Sequence, residues 1–266
     1  MILQADKLTL QYGQRIIANS LDFKVDKAEI ISIIGPNGSG KSTLLKALGR
    51  LLKPTYGTVL LEGKDIEKMK TRDIARKMSI LPQSSTVPTD MTVYDLVCYG
   101  RMPHQGLLSS PTRVDEDKIE EALKETNTSE MRYRRLDTLS GGERQRAWLA
   151  MAIAQNPEIL LLDEPTTYLD VKHQLDLMNL VYKLHEMKKI TVIMVLHDLN
   201  HAAKYSHRLV AVKKGKIFAE GLVKDVFTEN ILSNLYDVET SVMTLEQNGQ
   251  KNLVCFPYDV KQGEKN

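Results

Sequence analysis

The sequence predicts an α/β fold in which helices cover both faces of a largely parallel sheet. Three short runs rich in branched aliphatic residues predict buried strands, at 30–34, 159–162 and 191–196. Stretches with helical spacing of apolar residues lie between them, as in 171–187. Strands that alternate with helices are typical of a parallel sheet that is covered on both sides.

Other segments depart from this alternation. Residues 8–12 and 16–25 predict antiparallel strands, and we expect 58–62 to join them. The stretch from 84 to about 138 is charged and has helical spacing at 114–123, which predicts a helical insertion.

The chain beyond about residue 228 alternates only weakly and predicts a small appended element, either regulatory or stabilising. The predicted organisation is a nucleotide-binding core in 1–83, whose first part carries an antiparallel β subdomain, a helical subdomain in 84–144, the second part of the core in 145–227, and a C-terminal extension in 228–266.

Composition excludes some classes of protein. The 266 residues carry 36 Lys and Arg against 34 Asp and Glu, so binding of nucleic acid by bulk charge is not expected. Cys98 and Cys255 match no metal-binding spacing, which favours two reduced thiols. No apolar run approaches the roughly 18 residues of a spanning helix, and the N-terminus lacks the pattern of a signal peptide. We therefore expect a cytosolic chain that a partner would hold at any membrane.

A glycine-rich run follows the first buried strand and precedes a helix that Pro54 is expected to stop. Glycines let the backbone N–H groups point at a phosphate, Lys41 supplies a cation to the β- and γ-phosphates, and the Ser42 hydroxyl can ligate Mg²⁺. An incidental glycine-rich turn is the alternative, and the strand–loop–helix context disfavours it. The predicted nucleotide contacts in this run are Gly35, Pro36, Asn37, Gly38, Ser39, Gly40, Lys41, Ser42 and Thr43.

Two acids close the second buried strand. Asp163 ends the strand, where its carboxylate is expected to reach Mg²⁺ through a water molecule. Glu164 follows with alternated direction, so we expect it to face the γ-phosphate and to orient and deprotonate the attacking water. The alternative is a strand that ends in solvated acids.

Together with the run Leu-Ser-Gly-Gly-Glu-Arg-Gln-Arg at 139–146, these motifs resemble the ABC ATPases over nearly the whole chain. Residues 35–43 resemble the Walker A motif, 159–163 the Walker B motif, and 139–145 the family signature, with Glu143 where Gln is commoner. The resemblance implies a P-loop NTPase (RecA-like) core with an antiparallel β subdomain and an inserted helical subdomain. It also implies ATP and Mg²⁺ as cofactors.

The resemblance extends to weaker positions. Gln83 resembles the Q-loop glutamine that senses Mg²⁺ and the attacking water, and Asp170 belongs to a D-loop at 168–170. His197 resembles the switch histidine at the γ-phosphate, and Tyr12 the aromatic that stacks on adenine. Taken alone, Tyr12 could be a half-buried strand residue and His197 a satisfied strand-end histidine. The implied catalytic residues are Glu164, His197 and Gln83, and the implied Mg²⁺ ligands are Ser42, Gln83 and Asp163.

A competing interpretation concerns two histidines. His197 and His201 are four residues apart and could face one metal ion. No third ligand is evident nearby in the sequence, so the γ-phosphate role is preferred for His197. His201 is then expected on a helix surface.

The signature also carries an implication about assembly. In the family, Ser140, Gly141 and Gly142 would close over the ATP held by another subunit, so the resemblance implies a head-to-tail dimer with two ATP molecules between its subunits. Ser140 and Gly142 would donate to the γ-phosphate, with a helix N-terminus behind them. ATP would thus favour the closed dimer through contacts that ADP lacks.

Finer features point to an importer subunit that works with a separate integral membrane permease and, indirectly, an extracellular substrate-binding lipoprotein. The segment 92–104, with its Gly-Arg-x-Pro-His stretch, resembles the ATPases of iron–siderophore, haem and cobalamin importers. The forms of 166–170 and 146–150 most resemble the ferric hydroxamate type. The alternatives are a haem or cobalamin importer, a non-transport cytosolic ABC ATPase, and a nucleotide-sensing module without turnover.

The same segment is expected to dock the permease at the cytoplasmic face of the cell membrane. Its apolar residues could line a groove for a short partner helix, or could form the core of the subdomain itself. Charge changes at Arg101 or His104 are expected to separate these two readings. The apolar residues are Met91, Val93, Leu96, Tyr99 and Met102.

Overall fold

The computed structural model describes residues 1–83, 90–106, 111–247 and 249–261. The chain divides into two compact units, one formed by Met1–Glu67 with Ile193–Asn266 and the other by Lys68–Val192. The predicted helical subdomain, 84–144, and the predicted extension, 228–266, each include residues outside the described ones.

The first unit contains the predicted antiparallel sheet. Its strands are β1 (Leu3–Tyr12), β2 (Arg15–Val25), β4 (Tyr56–Leu61) and β5 (Lys64–Asp65), in the order β2-β1-β4-β5. β1 is paired antiparallel with both β2 and β4. The prediction that the segment near residue 60 joins the first two strands is therefore confirmed.

The same unit holds parallel strands. All five residues of β3 (Ile30–Ile34) are buried, and β3 pairs in parallel with β9 (Arg208–Lys213). β10 (Lys216–Leu222) continues the sheet antiparallel to β9. β8 (Thr191–Val195) begins in the second unit and ends in the first. Uniform burial along β3 fits a strand covered on both faces, as its apolar run predicts.

The helix after the glycine-rich run is shorter than predicted. α1 (Lys41–Leu48) ends before Gly49, and Arg50 takes a left-handed conformation with φ of 58°. The amides of Leu51 and Leu52 both turn back to the Lys46 carbonyl. The chain thus leaves the helix at Gly49, well before Pro54, because glycine ends helices readily.

Helices and a hairpin complete the first unit. α7 (Leu199–Tyr205) follows β8, and α8 (Val223–Val226) follows β10. The chain then forms α9 (Glu229–Tyr236) and a hairpin of β11 (Val238–Gln247) with β12 (Gln250–Val260). Asp237, with φ of 57°, ends α9 and starts the turn into β11.

In the second unit, α2 (Thr71–Ala75) precedes β6 (Met78–Leu81), which pairs in parallel with β7 (Ile159–Asp163). α6 (Val171–Lys188) connects β7 to β8. With the β3–β9 pair and the antiparallel sheet of the first unit, these elements confirm the predicted α/β class.

Three further helices of this unit begin at matching side-chain caps. Thr92, Thr112 and Ser140 precede α3 (Val93–Tyr99), α4 (Arg113–Glu125) and α5 (Gly141–Ala154). Each hydroxyl accepts from the backbone of the third helical residue, whose carboxylate accepts from the cap amide in return. Such capping boxes satisfy amides that the first turn leaves unpaired.

Candidate functional site

The glycine-rich loop of the first unit joins β3 to α1. A Cβ on Gly35 would lie 2.1 Å from the Val212 carbonyl oxygen, so no side chain fits there. Gly40 has φ of 104°, a conformation that side chains rarely adopt, and its Cβ would lie 3.2 Å from the Ile17 carbonyl oxygen. The backbones of β9 and β2 therefore press on the loop, and glycine is required at both positions.

Three polar features of this loop suit an anion. Lys41 is 5% exposed, and its ammonium donates to the carbonyls of Gly35 at 2.8 Å and Pro36 at 3.0 Å. The buried Ser39 hydroxyl makes no hydrogen bond within the part of the chain that the structure describes. Gly40 has no side chain to cap the first turn of α1. A cation, a spare donor and an uncapped helix start together match the chemistry of a phosphate group.

Tyr12 and His197 lie in the same unit as this loop. Tyr12 is the last residue of β1, half exposed, and pairs across the sheet with Arg15. His197 follows β8 and immediately precedes Asp198, whose carboxylate accepts from the His201 amide and caps α7.

The prediction that His201 lies on a helix surface is wrong. His201 is 8% exposed and packs edge-on against Tyr205, with ring centroids 6.0 Å apart. It shares the buried face of α7 with Ala202 and Tyr205, because residues three and four apart on a helix point the same way. Among the described residues, no group of three or more His, Cys, Asp or Glu side chains could hold a metal ion.

The acids after the second buried strand lie in the second unit. Asp163 ends β7 and is 3% exposed. Glu164 then takes a left-handed conformation with φ of 52°. The direction of its side chain is therefore set by this turn, and the prediction that strand alternation sets it is wrong. A residue other than glycine in this conformation costs about 1–3 kcal/mol, and such residues cluster at functional sites.

Glu164 receives a hydrogen bond that sequence reasoning missed. The Gln83 amide nitrogen donates to the Glu164 carboxylate at 2.5 Å, and the Thr167 hydroxyl donates to the same oxygen at 3.3 Å. Gln83 and Glu164 are 81 residues apart, so no local pattern signals their contact. The two residues predicted to act on the attacking water are thus brought together.

The signature run lies at the start of α5. The Ser140 hydroxyl accepts from the Glu143 amide, and the Glu143 carboxylate accepts from the Ser140 amide at 2.9 Å. The Arg134 guanidinium forms an ion pair with the Glu143 carboxylate at 2.7 Å. The pKa of Glu143 is lowered mainly by the hydrogen bond from the Ser140 amide and further by Arg134, although partial burial acts to raise it. Glutamate in place of the commoner glutamine therefore makes a charged capping box.

The signature glycines lie against the predicted D-loop and the start of α6 within this unit. A Cβ on Gly141 would lie 3.6 Å from Cδ2 of Leu169. A Cβ on Gly142 would lie 2.4 Å from Cδ2 of His173, so a larger residue would displace that ring. The His173 amide donates to Asp170, whose carboxylate caps α6, and the His173 ring contacts the same oxygen at 2.7 Å. Tyr168 is 93% exposed with φ of 66°. The signature and the D-loop are therefore built against each other.

The Gly-Arg-x-Pro-His stretch is part of the framework of the second unit. A Cβ on Gly100 would lie 2.2 Å from the Met151 carbonyl oxygen. Arg101 is buried, pairs with Asp115 at 2.9 Å and donates to the Ala154 carbonyl. The Pro103 carbonyl accepts from Arg72, and the His104 ring bonds the Gln155 carbonyl. Through Arg101, this stretch links the end of α3 to Asp115 in α4 and to Ala154 in α5.

The apolar residues predicted to line a docking groove differ in exposure, and Met91 is intermediate. Val93 and Leu96 are buried in the core of the second unit, so the docking interpretation is wrong for them. Tyr99 and Met102 are exposed, at 49% and 59%. Because Arg101 is buried and ion-paired, a charge change there would test folding and not docking.

The folded loop, the two acids and the α/β framework define a P-loop nucleotide-binding protein. A family model described as ABC transporter matches residues 18–167. The chain is 44% identical to the iron(3+)-hydroxamate import ATP-binding protein FhuC of Bacillus subtilis (strain 168), over 99% of this chain and 97% of the relative. The chain therefore belongs to the ABC transporter family, as an ATP-binding ATPase subunit.

Solved structures agree with this assignment and with the predicted ABC ATPase fold. One, an inward-facing conformation of a metal-chelate type ABC transporter, is 25% identical and has a TM-score of 0.85, with 97% of each chain covered. Another, a dimeric bacterial ABC transporter cassette, is 28% identical with a TM-score of 0.73, covering 84% of this chain and 99% of that one. Within the described residues, no helix is long and apolar enough to cross a membrane.

Proposed function

We propose that this chain hydrolyses Mg-ATP to drive uptake of an iron(III)–siderophore complex through a separate membrane permease. The observation that carries the catalytic part is the hydrogen bond from Gln83 to Glu164, because it joins the residue expected to activate water to the one expected to sense Mg²⁺ and that water. In this role, Glu164 orients the attacking water and accepts its proton. His197 contacts the γ-phosphate, and Tyr12 stacks on adenine.

The phosphate loop supports the placement of the nucleotide. Lys41 would exchange the carbonyls of Gly35 and Pro36 for phosphate oxygens, and the Ser39 hydroxyl would gain a partner. We propose Ser42, Gln83 and Asp163 as the residues that hold Mg²⁺, directly or through water. An oxygen donor set of this kind suits Mg²⁺. The ion would neutralise charge that builds up on the phosphates.

We further propose that two copies form a head-to-tail dimer with ATP between them. The start of α5 supports this idea, because Ser140 caps the N-terminus of a helix of 14 residues. The dipole of such a helix favours an anion at its N-terminus. Ser140, Gly141 and Gly142 would face the γ-phosphate held by the other copy, and Asp170 would cross between copies. The solved cassette to which this chain is similar is dimeric, which supports the pairing of two copies.

The transported cargo is proposed from the relatives. FhuC is an iron(3+)-hydroxamate import ATP-binding protein, and the metal-chelate type transporter is similar along almost the whole chain. A hydroxamate siderophore complex is therefore the proposed cargo. It would be delivered by an extracellular binding lipoprotein and would cross only the permease. This chain would then lie peripherally at the cytoplasmic face of the membrane, and Tyr99 and Met102 are the exposed candidates for contact with the permease.

Uptake of labelled iron by cells that lack the chromosomal copy tests this proposal. Cells that carry the intact chain should accumulate iron supplied as a ferric hydroxamate, and cells that carry Lys41→Ala should not, because the phosphate loop has lost its cation. Haem and cobalamin supplied in parallel separate the alternative importers. Equal iron uptake with the intact chain and with Lys41→Ala would refute the transport role, and ATPase activity without any membrane-dependent uptake would favour a non-transport enzyme.

A further inference from the structure

The C-terminal extension, 228–266, is bonded through its described residues to the nucleotide loop of its own unit. The Gly35 amide donates to the Tyr236 hydroxyl at 2.9 Å. Tyr236 is the last residue of α9, and Lys213 pairs with the next residue, Asp237, at 2.8 Å. A residue 201 positions away thus holds the first glycine of the phosphate loop.

The bond to Tyr236 complements the one made by Lys41. The Gly35 amide is held by the phenol, while the Gly35 carbonyl is held by the Lys41 ammonium at 2.8 Å. If Lys41 turned toward a phosphate, the Tyr236 hydroxyl would still be placed to hold the Gly35 amide, directly after β3. Burial raises the pKa of Tyr236 to about 12, so its hydroxyl stays neutral and can serve the amide at any physiological pH.

A second bond ties the extension to the segment after β8. The Cys255 amide, in β12, donates to the Asn200 side-chain oxygen at 2.8 Å, three residues beyond His197. A cavity of about 340 Å³ is lined in part by His197, Asn200, Tyr236 and Cys255. The extension therefore contacts two segments of this unit that are expected to respond to a γ-phosphate, namely the phosphate loop and the segment that follows His197.

We propose that the C-terminal extension is coupled to ATP binding, with Tyr236 as the residue that positions the phosphate loop through Gly35. The coupling is reciprocal, because any link by which docking of the extension favours ATP binding must also make ATP favour docking. The extension thus reports and tunes occupancy of the nucleotide site. This inference rests on the proposed function, since it takes ATP as the ligand of the loop.

The first test removes one hydroxyl. Tyr236→Phe keeps the buried ring and deletes the acceptor of the Gly35 amide. We expect ATP affinity measured by calorimetry to fall about three- to tenfold, the range expected for loss of one hydrogen bond. KM for ATP should rise by a similar factor with kcat little changed. Tyr258→Phe, an exposed tyrosine of the same extension, is the matched control and should bind ATP like the wild type.

The second test uses the Cys255 thiol, which is buried and lines the cavity. In a Cys98→Ser background it is the one remaining cysteine. Its labelling by a thiol reagent requires the extension to open, and ATP that favours the docked extension makes opening rarer. Saturating Mg-ATP should therefore slow labelling about three- to tenfold. In Cys98→Ser with Tyr236→Phe, this protection should be reduced.

The outcomes separate this inference from the proposed function. If the wild type binds ATP, but Tyr236→Phe binds it equally well and ATP leaves Cys255 labelling unchanged, the coupling is refuted and the ATPase role stands. If the wild type does not bind ATP, the proposed function itself fails. A Tyr236→Phe protein that unfolds at lower temperature but retains ATP affinity and ATP protection of Cys255 shows a purely stabilising tyrosine, which also refutes the coupling.

Discussion

Arg101 shows how the role of a residue depends on what surrounds it. As part of a surface-like Gly-Arg-x-Pro-His stretch, it is a reasonable candidate for contact with a partner. In the structure both Arg101 and Asp115 are about 5% exposed, and the pair is completed by the Ala154 carbonyl and by Thr112. Sequence spacing gives no measure of burial for a long charged side chain, so this reversal was not predictable.

Arg101→Ala should lower the free energy of unfolding by about 3–5 kcal/mol, because it leaves the Asp115 carboxylate buried and unpaired. Urea denaturation measures the loss. Arg113→Ala, an exposed arginine at the start of α4, is the control and should change stability by less than about 0.5 kcal/mol. A loss below about 1 kcal/mol for Arg101→Ala would contradict the structural role assigned to the pair.

The residues of the phosphate loop and the paired acids can be predicted because each group occupies consecutive positions of the sequence. Contacts between distant positions were not. The bonds from Gln83 to Glu164 and from Gly35 to Tyr236 join residues far apart in the chain, and no periodicity encodes them. The prediction that His201 lies on a helix surface fails for a related reason, since only the packing of α7 shows which of its faces is buried.

At the scale of elements, buried strands were the most predictable features. β3 begins and ends where its apolar run does, because a glycine follows it directly. The end of α1 was predicted too late, because leucines continue at helical spacing past Gly49 while the backbone has already turned. Caps and glycines, and not apolar spacing, set the end of that helix.

The cap of α5 allows stability and activity to be separated at Ser140. Ser140→Ala should lose about 1 kcal/mol of stability together with its cap. Ser140→Asp keeps an acceptor for the Glu143 amide but loses the hydroxyl that donates to the Glu143 carboxylate. It should abolish ATP hydrolysis by placing a negative charge where the γ-phosphate of the other copy is expected. Thermal unfolding and phosphate release measure the two effects.

The matched control is Thr112→Ala, which removes the equivalent cap of α4. It should lose stability like Ser140→Ala but keep ATPase activity. If Ser140→Asp hydrolyses ATP at the wild-type rate, the role proposed for the signature serine is wrong.

An ion-pair cluster links α4 and α6 and makes stability depend on pH. Lys118 and Lys188 hydrogen-bond the Glu121 carboxylate and lower its pKa to about 2. Because the folded pKa is depressed, this contribution is present above the ordinary value near 4.5 and is lost as pH falls toward about 2.

Glu121→Gln should therefore flatten the fall in melting temperature between about pH 5 and about pH 2. Glu116→Gln, an exposed position on the same helix, serves as the control and should retain the wild-type slope. Identical slopes for Glu121→Gln and the wild type would show that the cluster contributes nothing.

At the scale of the whole molecule, the α/β class followed from the alternation of buried strands and helices. The extension illustrates what that reasoning left open, since its sequence indicated only an appended element. Its bonds to Gly35 and Asn200 depend on tertiary packing and became visible only in the structure.

In the proposed mechanism, each chain carries the residues that cleave ATP but needs a second copy to complete the site. The most direct measurement is the mass of Glu164→Gln in solution with Mg-ATP, by size exclusion with light scattering. Without its catalytic carboxylate the variant should bind ATP, fail to hydrolyse it, and elute at twice the mass of one chain. Adding Ser140→Asp should return it to the mass of one chain. A single-chain mass for Glu164→Gln with ATP bound, or a dimer that persists with Ser140→Asp, would contradict the claim.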